Sequence, residues 1–120
     1  MTSGDTTATV STHVLDTSLG RPAAGVAVAV SARTGPEEPW RVLGGSATDA
    51  DGRCQDLPAP PPGATHVRLV FDVGPYHAGA RREGAAFFPE VAVAFAVEAG
   101  EHYHVPLLLN PFGYSVYRGS

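Results

Sequence analysis

The chain has no lysine, only one cysteine and no long apolar segment, and each of these features argues against a class of partner or site. Its 120 residues carry eight basic side chains, all arginine, against twelve acidic ones, for a formal net charge of −4. Nucleic-acid binding relies on clustered basic residues, so this balance argues against a nucleic-acid partner. The lone Cys54 cannot form a disulfide within the chain, agrees with a reducing compartment and is expected to be a passive thiol. No apolar run approaches the about 20 residues of a membrane-spanning helix, so no membrane partner is expected.

The amino-terminal sequence MTSGDTTATVSTHV lacks a basic region followed by an apolar one. No secretory signal is therefore predicted, and the cytoplasm is the expected location. The length and the 43% hydrophobic content fit one globular domain. Residues 1–8 are small and polar and are expected to form a flexible leader, and residues 9–120 are expected to form the domain.

Short segments of alternating apolar and small or polar residues follow one another, separated by glycine, proline and aspartate. GVAVAVSAR, HVRLVFDV and VAVAFAV each carry an apolar side chain at every second position, as strands with one buried face do. A further strand is expected near Trp40, a tight turn at Asp51-Gly52, and a loop in the proline-rich LPAPPPGAT. One short helix is expected after Pro75, within GPYHAGARREGAAF. The pattern predicts an all-β sandwich.

Several histidines fall on the outward faces of the predicted strands. In EHYHVPLLLN the apolar side chains share one face, so His102 and His104 share the other. The same alternation in TVSTHVLD turns His13 outward. Leu15 and Leu108 accompany the histidines on those faces, and apolar residues on an outer sheet face suggest that another subunit covers it.

The histidines leave other interpretations open. His13 and His104 could be surface residues without a role. His102 and His104, two positions apart, could bind a metal together with His66 or His77, although no acidic or cysteine partner has suitable spacing. A serine hydrolase built on a Gly-x-Ser-x-Gly motif is disfavoured because the sequence contains no such motif.

Four stretches together resemble the 5-hydroxyisourate hydrolases, the enzyme branch of the transthyretin-like proteins. They are, in order, STHVLDTSLGRPAAGV, DGRC, FFPEV and HYHVPLLLNPFGYSVYRGS, and the similarity runs from Ser11 to Ser120. The final Tyr-Arg-Gly-Ser is the most specific mark of the family. The resemblance implies a transthyretin-like two-sheet β-sandwich with one short helix. It also implies a homotetramer, made as a dimer of dimers, with active sites in clefts between subunits.

The resemblance implies an activity as well. This is the hydrolysis of 5-hydroxyisourate, the product of urate oxidation, to 2-oxo-4-hydroxy-4-carboxy-5-ureidoimidazoline in purine degradation, without a metal or organic cofactor. The catalytic residues it implies are His13, Arg53, His104 and Ser120, and the substrate-binding residues are His13, Arg53, Tyr117, Arg118 and Gly119. Ring opening needs a base for water and a proton for the leaving nitrogen; His13 suits the first role and His104 the second, although the two could be exchanged. The guanidinium of Arg53 suits an anionic substrate with adjacent carbonyl oxygens.

Two other classes of function are compatible with such a sandwich. One is a small-ligand carrier without catalysis, as in the transthyretin branch, and fold alone does not separate carrier from enzyme. The histidine pair, Arg53 and the Tyr-Arg-Gly-Ser ending favour the enzyme, because the carrier branch lacks them. The other is a non-catalytic module for adhesion or partner recognition, which would leave the outward histidines unexplained.

Overall fold

Most of the alternating segments form strands. The computed structural model describes residues 7–81 and 86–120, so residues 1–6 of the expected leader lie outside the described residues. The strands and the helix of the described part are β1 (Thr9–Asp16), β2 (Arg21–Pro22), β3 (Ala27–Arg33), β4 (Arg41–Ala47), β5 (Arg53–Cys54), β6 (His66–Asp72), α1 (Gly74–Arg81), β7 (Glu90–Ala96), β8 (His102–Asn110) and β9 (Gly113–Val116).

The strands form two sheets. One has the order β2-β1-β8-β9, with β5 also paired to β1, and the other has the order β4-β3-β6-β7. The pairing of β1 with β8 is parallel, whereas the other strand pairs of the described residues, such as β3 with β6, run antiparallel. The predicted two-sheet, all-β architecture with one short helix is confirmed.

The core lies between the sheets and is made by every second residue of the strands. Val28, Val30, Leu69, Phe71 and Leu107 are at most 2% exposed, on the faces that alternation assigned to the core. Burying a side chain of this kind contributes about 1.5–3 kcal/mol. Because the inner positions take up the apolar residues, the polar residues between them are left on the outer faces.

The structure shows where the expected short helix begins and ends. Helix α1 begins at Gly74, one residue before Pro75, and its eight residues end at Arg81; residues 82–85 of the predicted helical segment lie outside the described residues. Strand β7 begins at Glu90, and Phe87 before it is 67% exposed. Within the described residues, no helix is long and apolar enough to cross a membrane.

A buried carboxylate ties helix α1 to β1. The Tyr76 hydroxyl donates to Asp16 Oδ2 over 2.7 Å, and Asp16 is 1% exposed. Burial raises the pKa of the Asp16 carboxyl, but hydrogen bonds from Tyr76, from the Ser18 hydroxyl and from the backbone N–H groups of Ser18 and Leu19 lower it below its usual value. Burial and the contact with Asp16 raise the pKa of Tyr76 to about 12. Asp16 is therefore ionised and Tyr76 neutral at pH 7.

We expect Tyr76→Phe to lower the free energy of unfolding by about 1.5–3 kcal/mol at pH 7, because it removes a hydrogen bond to a buried charge. A carboxyl whose pKa is depressed in the folded state contributes stability above its unfolded pKa, near 3.8, and loses that contribution as the pH falls through the folded value. The difference from the unsubstituted protein should therefore shrink below about pH 4. Urea unfolding at pH 7 and pH 3, at one protein concentration, measures it; an equal loss at both values would contradict this role of Asp16.

Candidate active site

His13 and Arg53 face each other across two paired strands. Strand β5 pairs with β1 so that His13 lies opposite Arg53. The turn before β5 is built on Gly52, which is buried and has a φ of +76°; a Cβ there would lie 2.4 Å from the carbonyl oxygen of Val14. Glycine is therefore required at this position, and it brings Arg53 to the outer face beside His13.

The ring of His13 has a defined proton position. Its Nε2 lies 2.9 Å from the backbone carbonyl oxygen of Asp51. A carbonyl oxygen can only accept a hydrogen bond, so Nε2 carries a proton. The basic lone pair of neutral His13 is therefore on Nδ1, and the turn at Asp51-Gly52 orients the ring as well as Arg53.

His104 joins this pair because β8 lies beside β1. In the parallel pairing, His104 is opposite Ser11 and Pro106 is opposite His13, so the two histidines are diagonal neighbours on the outer face. His104 is half-buried, and Tyr103 and Val105 on either side of it belong to the core. The outward orientation predicted for both histidines is confirmed.

Ser11, to which the sequence analysis assigned no role, contacts His104 and links it to His102 and Thr9. Ser11 Oγ lies 2.8 Å from His104 Nδ1 and 3.0 Å from His102 Nε2, and Thr9 Oγ1 lies 2.6 Å from His102 Nδ1. Alternation within each strand places Ser11 on the same outer face as His13, and His102 on the same outer face as His104. It does not show that β1 and β8 are neighbours, so the contact between Ser11 and His104 could not be predicted from the sequence.

The surroundings of His104 keep its ring neutral. Burial lowers the pKa of His104 below that of an ordinary imidazole, and the repulsion that a cationic His104 would meet from His13, His102 and Arg53 lowers it further. These groups come from β1, β8 and β5, so the electrostatic environment of His104 exists only when these strands are paired in the folded sheet. His104 is therefore neutral at pH 7.

The carboxyl-terminal segment continues the pairing of β9 with β8. The Gly119 N–H donates to the carbonyl oxygen of His104 over 2.7 Å, and the two residues form an isolated bridge. A Cβ at Gly119 would lie 2.8 Å from Cδ2 of the His104 ring. The Tyr117 N–H lies 3.4 Å from the carbonyl oxygen of Pro106, and Ser120, which is exposed, follows Gly119 directly. The predicted ending is thus brought against His104.

Arg118 lies apart from the side chains of His13 and His104, and its guanidinium donates to the backbone carbonyl oxygen of His102 over 3.4 Å. Its guanidinium is 4.5 Å from the ring centroid of Tyr103, which is buried on the core face, and 3.5 Å from Glu101 Oε1. A cavity of about 320 Å³ between the sheets is lined by Tyr103, Arg118 and the preceding Tyr117. The structure therefore places Arg118 at the cavity between the sheets and not beside His13 or His104, and its substrate-binding role stays a prediction.

The residues considered as metal ligands, and the single cysteine, do not form a second site. His66 is on β6 and His77 is in α1, whereas His102 and His104 are on β8. Within residues 7–81 and 86–120, no group of three or more histidine, cysteine, aspartate or glutamate side chains is arranged to hold a metal ion. Cys54 is buried, and burial raises the pKa of its thiol, which disfavours the reactive thiolate.

The comparisons with known proteins agree with this arrangement. A model of the HIUase/Transthyretin family matches residues 10–119. The chain belongs to this family. The 5-hydroxyisourate hydrolase of Caulobacter vibrioides is 41% identical over 114 residues, which are 92% of this chain and 97% of that protein.

Solved structures of the HIUase/Transthyretin family share the fold. The 5-hydroxyisourate hydrolase of Klebsiella pneumoniae superposes with a TM-score of 0.75 at 38% identity, covering 93% of this chain and 99% of that one. Transthyretin of Sparus aurata superposes with a TM-score of 0.77 at 29% identity, covering 92% and 95%. The transthyretin-like sandwich is therefore confirmed, and the two TM-scores do not separate enzyme from carrier.

Proposed function

We propose that this protein hydrolyses 5-hydroxyisourate in urate degradation, at a cleft on the outer face of β1, β5 and β8. The observation that carries the proposal is the convergence of His13, Arg53 and His104, which are up to 91 positions apart in the chain, on that face. A base, a fixed cation and a second imidazole are the groups that hydrolytic opening of a cyclic amide needs. Relatives that carry the name 5-hydroxyisourate hydrolase support the choice of substrate.

We assign a catalytic role to each of these residues from its position in the cleft. His13, with its proton on Nε2, presents Nδ1 as the base that takes a proton from the attacking water. Arg53 stays cationic and stabilises the oxyanion that forms at the attacked carbonyl. His104 supplies the proton that the leaving nitrogen needs. Tyr117 and Ser120 complete the substrate contacts from the terminal segment, and Gly119 lets that segment pass close to His104.

The cleft is completed by assembly, and we propose the homotetramer as its form. In one chain the histidines lie on an open sheet face, and neither the cavity of about 320 Å³ nor a second of about 260 Å³ near Trp40 is lined by His13 or His104. Phe87, Phe112 and Tyr117 are 67%, 78% and 55% exposed, as large apolar side chains at subunit contacts are before assembly. Light scattering should give four times the 12.4 kDa of one chain. The cytoplasmic location stays a prediction.

A carrier without catalysis is the second candidate, because the fold matches that of transthyretin. A carrier needs complementarity to a ligand but no base. The fixed tautomer of His13 and the neutral His104 beside a cation are arranged for proton transfer, and they favour the enzyme.

The test generates 5-hydroxyisourate in situ from urate and follows its ultraviolet decay with and without the protein. We expect decay well above the spontaneous rate, and we expect Arg53→Met to lower kcat/KM by about 10- to 100-fold, since a hydrogen bond to a charged group contributes about 1.5–3 kcal/mol. The matched control is Arg41→Met, an exposed arginine on β4 of the other sheet, which should leave the rate unchanged. Decay no faster than the spontaneous rate would contradict the enzyme.

A further inference from the structure

A continuous series of hydrogen bonds leads from His104 to the surface. It runs from His104 Nδ1 to Ser11 Oγ, from Ser11 Oγ to His102 Nε2, and from His102 Nδ1 to Thr9 Oγ1, with distances of 2.8, 3.0 and 2.6 Å. Ser11 is 7% exposed, whereas His102 and Thr9 are exposed. The series therefore starts beside the proposed cleft, passes through one buried hydroxyl and ends in solvent.

The number of protons on these side chains restricts the directions in which the hydrogen bonds of the series can run. A serine hydroxyl has one proton, so Ser11 donates to one of the two rings and accepts from the other. When Ser11 donates to His104, the proton of neutral His104 is on Nε2, and His102 Nε2 donates to Ser11. When Ser11 donates to His102, every direction along the series is reversed and the His104 proton is on Nδ1. The two arrangements differ by one proton step at each member.

We propose that Ser11 and His102 form a proton relay that lets His104 protonate the leaving nitrogen while its ring stays neutral. This proposal rests on the proposed hydrolysis. His104 Nε2 gives its proton to the leaving nitrogen, and Nδ1 takes the proton of Ser11. Ser11 takes the proton of His102 Nε2, His102 Nδ1 takes that of Thr9, and a solvent water restores Thr9. The net transfer is one proton from solvent to the leaving nitrogen.

Electrostatics explain why such a relay is useful at this place. A conventional general acid would be the imidazolium of His104. That cation would face Arg53 on β5, His13 on β1 once it has taken the proton of water, and His102 on its own strand. Burial and the repulsion between a cationic His104 and these three groups already lower the pKa of His104. Arg118 pairs with Glu101 and donates to the backbone carbonyl oxygen of His102, but neither charged group is among those that shift the pKa of His104. A relay removes the need for a second cation.

The test compares three variants in the ultraviolet assay from pH 6 to pH 9. Ser11→Ala interrupts the relay, and Ser11→Thr keeps a hydroxyl on the same carbon. His102→Gln keeps a donor for Ser11 but cannot pass a proton on, so it separates the relay from the mere support of Ser11. We expect Ser11→Ala and His102→Gln to lower kcat at pH 8 by roughly 10- to 100-fold, a part of the about 10²–10⁴-fold that general acid catalysis contributes, with KM nearly unchanged. Ser11→Thr should stay within about threefold.

The pH profile distinguishes the relay from a structural role. Without the relay, His104 can act as an acid only when it is cationic, so kcat of Ser11→Ala should rise as the pH falls toward 6, relative to the unsubstituted protein. Profiles that run parallel, or a His102→Gln rate equal to that of the unsubstituted protein, would overturn the relay. Failure of the proposed function looks different, since the unsubstituted protein itself would then not accelerate the decay.

Discussion

Replacing His104 by glutamine should lower kcat for 5-hydroxyisourate hydrolysis by about 10²–10⁴-fold, because the leaving nitrogen loses its proton donor. Glutamine can still bond to Ser11, so the outer face of β1 and β8 should keep its structure. The ring is half-buried and its strand neighbours Tyr103 and Val105 hold β8 in the core, which the substitution leaves in place. Steady-state rates from the ultraviolet decay, with circular dichroism to follow the fold, measure the effect.

The matched control is His66→Gln. His66 is also a half-buried strand histidine whose Nδ1 bonds to a hydroxyl, that of Thr65 at 2.7 Å, but it lies on β6 in the other sheet. It should keep the full rate. A His104→Gln protein as fast as its control would show that this imidazole does not transfer the proton.

Gly119→Ala should lower kcat by about 10²-fold without unfolding the protein. The new Cβ would lie 2.8 Å from His104 Cδ2 and 3.3 Å from Pro106 Cγ, so the imidazole or the terminal segment must move. A displacement of about 1 Å at a catalytic group can cost about 10²-fold in rate. The φ of Gly119 is not in the left-handed region, so the backbone itself accepts alanine.

Gly79→Ala serves as the matched control, because a Cβ there meets nothing within 4 Å and Gly79 lies inside helix α1. Alanine is favoured over glycine in a helix by about 1 kcal/mol, so this variant should be as active as the unsubstituted protein and slightly more stable. Thermal unfolding beside the rate assay separates the two effects. Equal rates for both alanine variants would show that the close approach of Gly119 has no catalytic importance.

The sequence by itself determined which side chains of each strand face the core. Val28, Val30, Leu69 and Phe71 are buried as predicted, because the two-residue period of a strand is a local property of the chain. The same period turned His13 and His104 outward, and the glycine of Asp51-Gly52 marked the turn that brings Arg53 beside His13. These features follow from residues that are close in sequence.

Only the tertiary structure determined which side chains of different strands are neighbours. Ser11 meets His102 and His104 because β1 and β8 pair in parallel, about 90 positions apart, and alternation within one strand says nothing about its neighbour or its register. The low pKa of His104 has the same origin, since the charges that lower it come from separate strands. Arg118 belongs to the motif that suggested substrate binding. The bridge between Gly119 and His104 nevertheless leaves the Arg118 guanidinium over the ring of Tyr103, away from His13. A motif determines which residue types are present, and strand pairing determines which of them share a face.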